Sequence, residues 1–137
     1  MRARTVHRAR RQAPLAAAGA VAVVLMGCSG ASDTAPADVA TSFEDPAASS
    51  QSRCDLLAPA TLATFESQES APCADAIGDV PLSGGGVTAV EVWGGNAQVR
   101  MGGETVFLTE TDAGWRITAA GCEPQGEAPY DCQLEGP

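Results

Sequence analysis

The chain has 137 residues, a formal net charge of −9, five cysteines, one histidine and few aromatic residues, which is material for one domain at most. That charge sums two unlike parts: five of the eight basic residues (Arg2, Arg4, Arg8, Arg10, Arg11) and His7 open the chain, and all 17 acidic residues lie from Asp33 onward. Without the basic start, Arg53, Arg100 and Arg116 face 17 carboxylates, a net of −14 with no lysine and no histidine. This excludes a binder of phosphate backbones, so no nucleic acid is expected as a partner, and it excludes imidazole-dependent sites such as Ser-His-Asp triads or His-ligated zinc.

Arg2 to Arg11 form a positive leader, and Pro14 to Met26 form an apolar run rich in Ala, Val and Leu. The run is short of the roughly 20 residues a membrane span needs and suits the core of a signal peptide. It ends in Leu25-Met26-Gly27-Cys28-Ser29, which resembles the bacterial lipobox. That resemblance implies that Cys28 receives a lipid on sulfur and that the peptide is cut before it, giving a signal peptide over 1–27. Without the lipobox the same run reads as an ordinary secretory peptide or a short uncleaved anchor. Lipid chains on Cys28 would anchor the protein on the outer face of the cell membrane.

Setting Cys28 aside leaves Cys54, Cys73, Cys122 and Cys132, an even number in a small exported domain, which predicts two disulfides. Four cysteines allow three pairings. Local geometry favours Cys54 with Cys73 and Cys122 with Cys132, because each pair flanks a turn within one structural segment. A four-thiolate metal site lacks C-x-x-C spacing, and no metal or cofactor is expected.

Residues 28–36 are small and polar and read as a solvated tether; 37–137 read as a single α+β domain. Ala37 to Glu44 predicts a short helix with Val39 and Phe43 inward. Asp45-Pro46 predicts the next helix start, with Ala47, Ser50, Cys54 and Leu57 on one face. Ala58-Pro59 ends that helix and begins another with Leu62 and Phe65 inward, and Pro72 to Ile77 predicts a further turn or two. Gly84-Gly85-Gly86 lacks a following GK[ST] and reads as a flexible link, not a phosphate loop. Beyond it the period changes to two: Val90 and Val92, then Ala97, Val99 and Met101, then Val106 and Leu108, then Trp115, Ile117 and Ala119 mark four strands. The Gly-bearing turns between them favour antiparallel hairpins, so short helices should pack on one face of a four-stranded meander stapled by two disulfides.

This order of elements resembles the cystatin-like cone fold of the nuclear transport factor 2 superfamily. Cys54-Asp55-Leu56-Leu57-Ala58-Pro59 and Trp115-Arg116-Ile117-Thr118-Ala119-Ala120-Gly121-Cys122, with Pro129-Tyr130-Asp131-Cys132 and Leu134-Glu135-Gly136, resemble a group of small uncharacterised lipoproteins of high-GC Gram-positive bacteria. Enzymes of the cone fold commonly use a carboxylate or histidine base; with histidine absent from the domain, Asp55, Glu91 and Asp131 are the candidates for an isomerase or hydratase. Trp93, Arg100, Trp115, Arg116, Tyr130 and Asp131 are candidates for a ligand or partner surface, the tryptophans lining it and the arginines holding an anion. The simpler expectation is that Trp115 is core, both arginines pair across strands with carboxylates, and Tyr130-Asp131 shapes the disulfide loop. The expected function is a non-enzymatic lipid-anchored domain binding a small ligand or an envelope protein. An accessory envelope lipoprotein without a ligand site, or a carboxylate-dependent enzyme, are the alternatives.

Overall fold

The computed structural model describes residues 31–82 and 85–137. The expected signal peptide over 1–27 and Cys28 lie outside the described residues. Four helices come first: α1 (Ala31–Phe43), α2 (Ser50–Asp55), α3 (Pro59–Glu69) and α4 (Cys73–Ala76), followed by a 3-10 turn at Ile77–Asp79. Six strands follow: β1 (Val87–Trp93), β2 (Asn96–Met101), β3 (Thr105–Thr111), β4 (Gly114–Gln125), β5 (Ala128–Asp131) and β6 (Leu134–Glu135). They form one antiparallel sheet in the order β1-β2-β3-β4-β5, with β6 also paired to β4, so the α+β architecture is as expected. The four expected strands are present, and two more arise within and after the Cys122–Cys132 loop.

Alternation explains the sheet as far as Ile117. Ala97, Val99, Met101, Val106, Leu108, Trp115 and Ile117 point to the helices and are buried. There they meet Phe43, Leu57, Phe65, Ile77 and Leu134, and complete burial of a side chain such as Phe43 or Ile117 contributes about 1.5–3 kcal/mol. Beyond Ile117 the alternation fails, since Ala119, Ala120, Gly121 and Cys122 are all buried. β4 moves from Ile117 to Cys122 while β3 moves only from Leu108 to Thr105, so two extra residues bulge on β4. Gly121 takes the left-handed conformation in this stretch (φ 64°), and bulges of this kind bend a strand. The bend turns the end of β4 toward β5 and β6, and Leu134 of β6, opposite Ala120, closes the core.

Three local expectations are corrected. α1 begins at Ala31, so residues assigned to the tether are helical, and Pro36 is buried. Pro36 is the sixth residue of α1, where its missing N–H removes one i→i−4 hydrogen bond without ending the helix. Asp45-Pro46 opens a turn, not a helix: Ala47 N–H donates to Asp45 Oδ1 (2.8 Å) and Ala48 N–H to Asp45 O (2.9 Å). Turns and helix starts favour the same residues, and here Ser49 caps α2, its Oγ accepting from Ser52 N–H. Gly85, expected to be part of a flexible link, lies against the backbone of Gly102.

Ala58-Pro59 starts α3 as expected, and both disulfides form, Cys54–Cys73 and Cys122–Cys132. The first ties α2 to α4, and Cys73 N–H also donates to Glu66 Oε1 (2.9 Å). The second ties β4 to the segment after β5. Between α2 and α3, Leu56 to Ala58 runs beside β4: Ile117 N–H donates to Leu56 O and Ala58 N–H to Ile117 O.

Candidate functional site

Cross-strand partners share a face, so the pairing register assigns every strand side chain to the helix side or to the outer side. On the outer side Glu91 lies opposite Gln98 and Gln98 opposite Phe107; Trp93, Asn96, Thr109 and Arg116 form a second row. Tyr130 of β5 reaches this face. Its ring meets Phe107 edge-on, with centroids 5.0 Å apart and planes at 78°, and Gln98 Nε2 donates to its hydroxyl (3.2 Å). An open groove of about 420 Å³ lies here, lined by Phe107, Thr118, Ala119, Pro129, Tyr130 and Glu135 together with the last two residues. Its size falls in the range of small-molecule sites, and its aromatic floor with polar margins suits a mixed apolar and polar ligand.

The candidate surface residues divide between the two faces. Trp93, Arg100, Arg116 and Tyr130 reach the outer side, and only Tyr130 lines the groove. Trp93 is 49% exposed at the end of β1. Arg100 is ion-paired with Glu91 across β1 and β2. Arg116 does not make the expected carboxylate pair; its Nη1 donates to Trp115 O (2.8 Å). Trp115 lies on the helix side at 9% exposure and belongs to the core. Asp131 is exposed opposite Glu123 in the β4–β5 ladder. The three candidate bases are also at the surface: Asp55 accepts from Gln51 Nε2 (2.8 Å), Glu91 holds Arg100, and Asp131 faces solvent. None of them enters the apolar layer between helices and sheet, where a carboxylate would be driven toward its neutral form.

A buried charged cluster gave no signal in the sequence. Arg53 is 5% exposed; its Nε donates to Phe43 O (3.1 Å), its Nη1 donates to Ile77 O (2.8 Å), and its guanidinium carbon lies 4.4 Å from the centre of the Phe43 ring. Glu44 and Glu104 are buried near it. Burial pushes the Arg53 pKa below the ordinary arginine value, and the two carboxylates act in the opposite direction. A lone arginine in a Ser-rich six-residue helix has no periodicity to mark it, and the carbonyls it holds lie ten and 24 residues away in the chain. The cluster binds the end of α1, α2 and the 3-10 turn into one unit. A second groove, about 430 Å³, opens beside it and is lined by Thr41, Ser42, Glu44, Asp45, Gly86 and Met101.

Among the described residues, no three His, Cys, Asp or Glu side chains are grouped to hold a metal ion, and no helix is long and apolar enough to cross a membrane. The chain matches no protein family, no curated protein and no solved structure. What the structure defines is an α+β domain with helices on one face of a bent antiparallel sheet and two disulfides.

Proposed function

We propose that this is an exported lipoprotein, held on the outer face of the cell membrane by lipid on Cys28, whose outer sheet face binds an envelope protein. The observation that carries the reading is the open groove floored by Phe107 and Tyr130, on the side of the sheet opposite the helices. A groove this open to solvent suits a segment of another protein better than it suits a reaction, which gains from exclusion of water. The cystatin-like or nuclear transport factor 2-like cone fold is the finer architecture we assign, supported by the helix layer and the bent β4. The assignment to the lipoprotein group of high-GC Gram-positive bacteria rests on the two sequence segments that resemble it; in the fold these lie side by side, Ala58 N–H donating to Ile117 O (2.8 Å).

Two measurements test this reading. Radioactive palmitate should label the wild-type precursor and fail to label Cys28→Ala; labelling of the variant would refute lipid attachment at that residue. Affinity capture from detergent-solubilised membranes with the full chain should recover a partner that F107S and Y130A both lose. Capture unchanged in both variants removes the groove as the binding surface.

A further inference from the structure

The two disulfides differ in what a thiol can reach. Cys54 and Cys73 are both buried between α2 and α4. Cys122 is buried too, but its partner Cys132 is partly exposed and lines the groove together with Phe107 and Tyr130. A disulfide is cleaved by a thiolate that reaches one of its sulfurs, so access decides which bond exchanges. The arm that this bond closes, residues 123–131, has little else to hold it. Only Tyr130 in the arm is partly shielded from water. Its ladder pairs Gln125 with Ala128 and Glu123 with Asp131, and the second pair sets two carboxylates directly opposite each other, which is destabilising. Pro124 and Pro129 give no N–H to the ladder, Glu127 adds a third negative charge, and the arm contains no cation. A two-stranded hairpin of this kind is marginal in water by itself. The chain on either side is anchored independently, since Gln133 N–H donates to Gly121 O (3.3 Å) and Leu134 sits in the core.

We infer that Cys122–Cys132 is an exchangeable disulfide, attacked at Cys132 Sγ by a dithiol, and that its reduction releases the arm and dismantles the groove. The attacking thiolate bonds to Cys132 Sγ as the Cys122–Cys132 bond breaks; Cys122 leaves with the electron pair as a thiolate and takes up a proton. The second thiol of the reductant loses its proton and attacks the sulfur of the first, and Cys132 leaves as a thiolate that is protonated in turn. The dithiol is thereby oxidised by two electrons to its own disulfide, and both cysteines end as thiols. On the outer face of the cell membrane such a reductant is an exported protein with two neighbouring thiols. With the bond gone, nothing offsets the repulsion between Glu123 and Asp131, Tyr130 leaves Phe107 and Gln98, and the aromatic floor is lost. Control of binding rests on the groove reading above; the exchange itself does not.

The test treats the full chain in detergent micelles with increasing dithiothreitol, alkylates the free thiols and maps them by peptide mass. Cys122 and Cys132 should be modified at a dithiol concentration at least about tenfold below that needed for Cys54 and Cys73. In the chain reduced at this bond alone, amide hydrogen exchange over 123–131 should quicken at least about tenfold while β2 and β3 stay unchanged. E123R sets opposite charges across the pair with Asp131 and should slow exchange of the reduced arm relative to the reduced wild type. Cleavage of Cys54–Cys73 first or together with the other bond, an arm whose exchange ignores reduction, or a reduced E123R arm exchanging like wild type would each overturn the inference. In affinity capture the reduced chain should lose the partner that the oxidised chain recovers, and equal recovery would overturn the control of binding. Capture that also ignores F107S and Y130A would instead mark the failure of the groove reading, with the mass map and the exchange rates still deciding the disulfide.

Discussion

Replacing Arg53 by methionine keeps most of the stem and removes the charge, and so asks what the buried guanidinium contributes. Two charge-assisted hydrogen bonds, to Phe43 O and Ile77 O, are worth about 1.5–3 kcal/mol each, and its position over the Phe43 ring adds about 0.5–2 kcal/mol. Opposing this is the desolvation of the cation, which also lowers its pKa. Removing one member of a buried charged cluster destabilises by about 3–5 kcal/mol, because the groups left behind keep their burial without their partner. In a domain of this size each kcal/mol moves Tm by about 4–8 °C, so R53M should lower Tm by about 12 °C or more. Urea unfolding followed by circular dichroism measures the free energy directly. R53K, which keeps the charge but not the planar fork that serves two carbonyls, should fall between wild type and R53M. A loss below about 1 kcal/mol for R53M would mean that desolvation cancels the bonds, and would refute the assignment of Arg53 as the tie between α1, α2 and the 3-10 turn.

C54S/C73S should lose about 3 kcal/mol on the chain-entropy estimate for a loop of 19 residues, read as a lower urea midpoint with the oxidised wild type as reference. G121A should lose about 1–3 kcal/mol, since an alanine there takes a left-handed backbone and its Cβ falls 2.8 Å from the Gln133 side chain; an unchanged midpoint would show that the bulged stretch of β4 relaxes freely.

Much of the sheet was legible because period-two alternation is a local property. The inward residues from Ala97 to Ile117, the glycine turns and the core position of Trp115 follow from counting along the chain, whereas Trp93 and Trp115, both candidates for one surface, lie on opposite faces. The end of β4 was not legible: Ala119, Ala120, Gly121 and Cys122 are small, carry no alternation, and are buried on both sides because the strand bulges there. Asp45-Pro46 misled because a turn and a helix start use the same side-chain hydrogen bond, and only the Ser49 cap decides between them. Of the candidate surface, alternation placed the exposed residues, whereas the groove needs Tyr130 brought back over Phe107 by the bend in β4.

The sequence by itself determined the separation of a basic and apolar first segment from an acidic remainder, the α+β order and the even number of cysteines available for two disulfides, since each depends on residue type and short-range spacing. Only the tertiary structure decided that Arg53 is buried, which cysteines pair, and that Phe107 and Tyr130 share a groove. These depend on contacts between segments far apart in the chain, where hydrogen bonding and burial are settled by packing and leave no local pattern.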